Sequence, residues 1–272
     1  MFAIKDQDNR REGARGLTRN HGGTARRLRQ AAAGAICAAA VALPLIGAAS
    51  AQAATTANPA YTTLNLVNGW TSYGSGLATP AVANVNGIIH LKGGMKTSGT
   101  NSDAFTLPSA DRPSAEVYVP VDECGATNGR LDISPSGVVN VEAEGDNWNQ
   151  AQCFVSLDGV TFAKTAASFT ALTPLNGWSS YGFGTASPAA RNISGVVHLK
   201  GAIQTSGTNE EAFVLPAALR PAHDLYVKAD LCGAHNGRLY ITTSGSVNVQ
   251  APTGGWGNAQ CFTSLDGVSY AR

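Results

Sequence analysis

Along most of the chain, apolar and polar residues alternate with a period of two. The alternation runs through 87–93 (Gly-Ile-Ile-His-Leu-Lys-Gly), 116–121 (Glu-Val-Tyr-Val-Pro-Val), 129–134 (Gly-Arg-Leu-Asp-Ile-Ser) and 138–143 (Val-Val-Asn-Val-Glu-Ala). Successive side chains of a strand point to opposite faces, so these segments predict strands with one buried and one solvated face. Between them lie the turn signals Asn86-Gly87, Ser98-Gly99, Pro135-Ser136-Gly137 and Asp158-Gly159, with residues suited to the positive φ of tight hairpins. After residue 53 no segment sustains a helical apolar period. The pattern predicts an all-β fold with about eight short antiparallel strands per unit, arranged as a jelly-roll-like β-sandwich.

The pattern occurs twice. Setting each residue against the one 108 positions later aligns 61–164 with 169–272 without a gap, with 58 identities in 104 positions. Shared landmarks include Asn-Gly-Trp (68–70, 176–178), His-Leu-Lys-Gly (90–93, 198–201) and Thr-Ser-Gly-Thr-Asn (97–101, 205–209). A unit of this length is a domain in its own right rather than a solenoid repeat that needs neighbours. The expected organisation is a signal peptide at 1–53, a lead-in at 54–60, sandwich repeat 1 at 61–164, a linker at 165–168 and sandwich repeat 2 at 169–272. So short a linker keeps the repeats close and restricts their orientation.

The signal reading rests on eight Lys or Arg against three acidic residues within 1–30, an alanine-rich apolar run at 31–49, and Ala51-Gln52-Ala53, which suits signal peptidase. Pro44 and Gly47 interrupt the run and argue against a membrane anchor. Arg26-Arg27 hints at twin-arginine export, but Arg29 and Gln30 stand where that signal wants apolar residues, which favours general secretion. Removing the segment changes the charge. The chain has 19 basic and 18 acidic residues; without the eight and three at the N-terminus, 11 and 15 remain, a net of −4. No basic cluster is left, which argues against nucleic acid and anionic lipid as partners.

Export also interprets the cysteines. The secreted part holds four, and both pairs are spaced by 29 residues. In an oxidising compartment this predicts two disulfides, Cys124–Cys153 and Cys232–Cys261, each closing one domain on itself. By loop entropy each is worth roughly 3–4 kcal/mol. Zinc would call for C-x2-C pairs and recurrent partner histidines, which are missing, so no metal is expected.

The ordered motifs Gly-Trp-x-x-Tyr-Gly, Gly-[IV]-[IV]-His-Leu-Lys-Gly, Leu-Pro, Arg-Pro, Tyr-Val and Ser-Leu-Asp-Gly-Val recur in each unit. In this order the chain resembles the β-sandwich receptor-binding modules of bacteriophage tail fibre and baseplate proteins. It also resembles uncharacterised actinobacterial secreted proteins that carry the same module in tandem. The resemblance implies the fold and a habit of contacting cell-surface polysaccharide, in phages often as trimers. A signal peptide and two disulfides depart from the phage pattern, so no virion role is implied, and homo-oligomerisation is left open.

Residues that could carry chemistry are few. His90 and His198 recur, but mid-strand among alternating apolar residues, where a nucleophile–base–acid set has no place. No pair of carboxylates recurs as a glycosidase requires. Asp122 and Asp230 read as solvated turn residues, and Asp158 and Asp266 as two-residue hairpin turns. Neither a phosphate loop nor a metal-ligand cluster is visible, so no cofactor is expected. Trp148 (Gly-Asp-Asn-Trp-Asn-Gln) and Trp256 (Gly-Gly-Trp-Gly-Asn) lie in polar, glycine-rich segments read as loops. A loop indole beside amides can cover the C–H face of a sugar; the alternative is that each folds back over the neighbouring disulfide. The candidate ligand-binding set is Trp148, Trp256, Asn147, Asn258, Arg130 and Arg238, although for the arginines a local carboxylate partner is the stronger reading. The expectation is a secreted, non-enzymatic protein binding a glycan or cell-surface polymer, with no membrane span once the signal is removed. A structural or interaction protein of the envelope or matrix is the alternative, and a hydrolase ranks last.

Overall fold

The alternating segments close into two sheets per repeat. The computed structural model describes residues 58–272; the expected signal segment 1–53 and the start of the lead-in lie outside them. In repeat 1 a seven-stranded sheet runs in the order Trp70–Ser72, Gly94–Thr97, Val155–Ser156, Val117–Glu123, Thr127–Ile133, Val138–Ala143 and Asp103–Thr106. A four-stranded sheet runs Thr62–Thr63, Ala81–Val85, Ile88–Lys92 and Thr161–Ala163. Repeat 2 builds the same two sheets in the same order. The protein is thus all-β, with two tandem antiparallel β-sandwich domains.

Register explains the alternation. Pairing Val117 with Ile133, Val119 with Leu131 and Val121 with Gly129 sets those apolar side chains on one face, where they are buried. Each repeat has its own core, around Phe105, Leu131, Ile133 and Phe162 in the first and Phe213, Leu239, Ile241 and Leu265 in the second. Eleven strands form per repeat rather than about eight. The surplus are pieces of two or three residues such as Thr62–Thr63 and Val155–Ser156, too short to show a period.

Two short helices also depart from the expectation of loops: α1 (Trp148–Cys153) and α2 (Trp256–Cys261). Six residues make under two turns, so no 3.6-residue pattern can accumulate. The disulfides are those expected, with Cα–Cα separations of 5.8 and 5.7 Å. Each ties the last residue of a helix to a 3-10 turn, Cys124–Ala126 or Cys232–Ala234, that joins the two longest strands of its repeat. The Asp-Gly turns form, but not as the expected hairpins: the strands they join do not pair, and each turn carries the chain from the seven-stranded to the four-stranded sheet. Each also does a second job. The Asp158 carboxylate accepts the Gly93 N–H at 2.9 Å, and Asp266 accepts that of Gly201 at 3.2 Å. Gly93 has φ +100°, and a Cβ there would strike the backbone of 78–80.

The repeats are joined by a face rich in polar contacts. Repeat 1 offers strands Val117–Glu123 and Thr127–Ile133; repeat 2 offers the turn Cys232–Ala234 and the segment 262–267. Asn128 Nδ2 donates to the Ala234 carbonyl at 2.5 Å, and Arg130 reaches the Asp230 carboxylate at 3.3 Å. The Ser264 hydroxyl donates to the Tyr118 carbonyl at 2.6 Å, and the Tyr118 and Phe262 rings meet edge to face at 5.1 Å. Buried Lys200, 3.9 Å from Asp266, donates to the Ala163 carbonyl at 3.0 Å. His235 Nδ1 lies 2.9 Å from Glu144. Gly267 belongs here because a Cβ would meet Val119 of the other repeat.

The joint corrects one sequence reading. Asp122 is exposed, as expected, but its sister Asp230 is fully buried. Both stand two residues before Cys-Gly-Ala, although Val121 and Glu123 flank Asp122 and Ala229 and Leu231 flank Asp230, and the docking of repeat 1 covers Asp230. Burial pushes Asp230 up to about 7, against the pull of Arg130.

Removing Arg130 would strand a buried carboxylate. We expect Arg130→Ala to lower stability by about 3 kcal/mol, whereas the sister change, Arg238→Ala at an exposed position, stays within about 0.5 kcal/mol. Chemical denaturation of the two variants measures the contrast.

Candidate functional site

The two ends of helix α1 are used differently. Cys153 closes the disulfide, while Trp148 begins the helix and turns its ring toward the core edge. There it meets buried Trp70 edge to face at 6.0 Å, with 89° between the planes. The Trp148 Nε1–H donates to the Gly99 carbonyl at 3.0 Å, and Gln152 donates to the same oxygen at 2.7 Å. Repeat 2 copies the arrangement: Trp256 against Trp178 at 6.1 Å and 89°, Nε1–H to Gly207 at 3.2 Å, Gln260 to Gly207 at 2.8 Å. An indole N–H that finds a carbonyl and a ring held edge-on by a second tryptophan leave little rotational freedom. Both loop tryptophans are therefore half-buried and fixed. They rest on another tryptophan, a partner that neither sequence alternative named.

Their uncovered flanks line shallow grooves at equivalent places. One, of about 280 Å³, is bordered by Trp148, Thr100, Ser102, Glu142 and Asp146. The other, of about 320 Å³, is bordered by Trp256, Thr208, Glu210, Pro252 and Gly254. Thr100 and Thr208 are equivalent, as are Ser102 and Glu210, so a hydroxyl in one groove is a carboxylate in the other.

The other candidates separate from the tryptophans. Asn147 is the exposed residue before α1 and Asn258 is the half-buried third residue of α2, so the two are not equivalent, and neither lines these grooves. Arg130 is committed to Glu142 and to Asp230 across the joint, with 13% of its side chain exposed. Arg238 is exposed, bonded to Gln250 at 2.9 Å, and lines a separate cleft of about 330 Å³ with Asn236, Gln250 and Thr253. In each repeat the tryptophan is therefore the one member of the sequence set that lines the groove.

His90 and His198 sit within strands, and burial lowers both below the ordinary imidazole range; at His198 the nearby His90 adds to the effect. Sequence reasoning passed over Glu123. It is buried, neither carboxylate oxygen has a partner, and burial pushes it up to about 8. Its sister position is Leu231, also buried, so the carboxyl occupies a seat shaped for an apolar side chain. That mismatch in an otherwise apolar position was the available signal. Among the described residues no His, Cys, Asp or Glu group is placed to hold a metal, and no helix is long and apolar enough to cross a membrane. Comparison with family models, curated proteins and solved structures gives no match.

Glu123 sets a pH dependence. The folded chain holds the proton up to about 8, while the unfolded chain releases it near 4.5. The group's contribution is therefore fully present below 4.5 and is lost as pH rises toward 8, by at most about 1.4 kcal/mol per pH unit. Glu123→Leu should gain stability relative to wild type steadily from pH 5 to pH 8; denaturant midpoints across that range check it, and a constant difference would contradict the assignment.

Proposed function

We propose that the chain is a secreted, non-enzymatic protein that binds a cell-surface or extracellular glycan through the two tryptophan-lined grooves. The observation that carries this reading is the duplication of a groove whose indole is locked by its own N–H bond and by a second tryptophan. A ring held in place offers a flat apolar face to sugar C–H groups at small entropic cost. The hydroxyls and carboxylates on the rims, Ser102, Glu142 and Asp146 in one and Thr208 and Glu210 in the other, are the groups that accept and donate to sugar hydroxyls. Two weak sites in one chain gain avidity on a repeating polymer. The likeness to polysaccharide-contacting phage modules points the same way. The basic-then-apolar segment 1–53 and the disulfides support export.

A structural or interaction role in the envelope or matrix is the second reading. One observation favours it: the face of strands Leu225–Leu231 and His235–Ile241 leaves Tyr226 59% exposed.

Glycan arrays and cell-wall pulldowns test the leading reading. Trp148→Ala with Trp256→Ala should lower retention about tenfold, the equivalent of about 1.4 kcal/mol. The indoles also pack, so a second pair of changes, Thr100→Arg with Thr208→Arg, fills the grooves from exposed rim positions. Retention unchanged in both double variants would remove the grooves as the site.

A further inference from the structure

The joint between the repeats uses one face of each, and each repeat carries both faces. Displacing the joint residues by 108 positions shows what is left over. Repeat 1 contributes Tyr118, Asn128 and Arg130; their sisters Tyr226, Asn236 and Arg238 are all exposed on repeat 2. Repeat 2 contributes Asp230, Ala234, Ser264 and Asp266, all buried. Their sisters on repeat 1 are Asp122, Ala126 and Asp158, which are exposed, and Ser156, which is half-buried. Every one of these sister pairs is identical in residue type. Two halves of a known joint are thus present, unoccupied, at opposite ends of the chain.

The vacant halves keep the occupied geometry. Arg130 lies over the Tyr118 ring at 4.7 Å, and Arg238 over Tyr226 at 4.6 Å. The Arg130 Nε–H donates to Glu142 at 2.7 Å, and the Arg238 Nε–H to Gln250 at 2.9 Å. The cleft of about 330 Å³ beside Arg238 is the counterpart of the surface on which the turn Cys232–Ala234 rests in repeat 1. The turn that would enter it is Cys124–Ala126, held by its own disulfide at an exposed position. Where a Cβ on Gly267 would strike the neighbouring repeat, a Cβ on Gly159 would meet nothing within 4 Å. Charge is complementary as well: Arg238 and Lys228 on one vacant face, Asp122 and Asp158 on the other. One contact is not repeated, since the positions of Glu144 and His235 are Pro252 and Thr127 in the sister copies.

We infer that the chain self-associates head to tail, the Tyr226–Arg238 face of one copy docking on the Asp122–Asp158 face of the next as repeat 1 docks on repeat 2 within the chain. Such a contact is heterologous, joining two different patches, so each copy added exposes the same two faces again unless the rotation closes a ring. The occupant is a second copy of this chain, and the inference does not depend on the glycan reading.

Sedimentation velocity of residues 54–272, from micromolar to about 1 mM, tests it. Wild type should grow in mass with concentration. Asp122→Arg and Arg238→Asp should each weaken association by about tenfold or more, and the chain carrying both should recover it, because the pair is restored with its signs exchanged. Both positions are exposed, so thermal melts of the variants should match wild type. A wild-type chain that stays monomeric up to 1 mM overturns the inference. So does association that ignores the single changes, or a double variant that is no better than the singles.

Discussion

The Asp230 carboxylate has left water entirely, and the one side chain that meets it, Arg130, comes from the other repeat. A buried charge with a single partner ties the two sandwiches to one arrangement, because any sliding of the faces would strand it. Around it the joint adds contacts of high directionality: an amide on a carbonyl, a hydroxyl on a carbonyl, an ammonium on a carbonyl. Aromatic packing between Tyr118 and Phe262 excludes solvent from them. The two domains could each fold on their own cores, but their mutual placement depends on this cluster.

The disulfides take part indirectly. Cys232–Cys261 pins the turn whose Ala234 carbonyl receives Asn128. The covalent link therefore holds α2 to the sheet and sets the turn that docks on repeat 1. The same α-helix carries Trp256 at its other end. One six-residue element thus couples the fold's staple, its joint and the edge of its candidate groove.

Much of the fold was legible. Alternation located the long strands, glycine pairs located the turns, and equal cysteine spacing behind an expected export signal gave the disulfides. What escaped was either too short or too distant. Helix α1 spans under two turns and shows no period. The burial of Asp230 is hard to see in a sequence where Asp122 stands likewise two residues before Cys-Gly-Ala, since it follows from which face found a partner. Arg130 and Arg238 were grouped together for the same reason. The tryptophans stand out in the sequence, but their support, Trp70 and Trp178, lies 78 residues earlier in each repeat, beyond any local reading. Glu123 was passed over because an acidic residue at a strand end looks solvated until the sister leucine and the closed surroundings are considered.

The linker at 165–168 gives the joint its leverage. Four residues keep the second repeat within a few ångströms of its seat, so the faces meet at an effective concentration in the millimolar range, about as high as a flexible tether provides. A contact too weak to hold two separate molecules at ordinary dilution is therefore saturated inside the chain. The free copies of that contact have no tether and answer instead to crowding. In dilute solution they stay largely empty, while on a surface that gathers many chains they meet at densities comparable to those the linker enforces. On the head-to-tail inference, the same set of residues serves as a fixed pin within a molecule and as a density sensor between molecules.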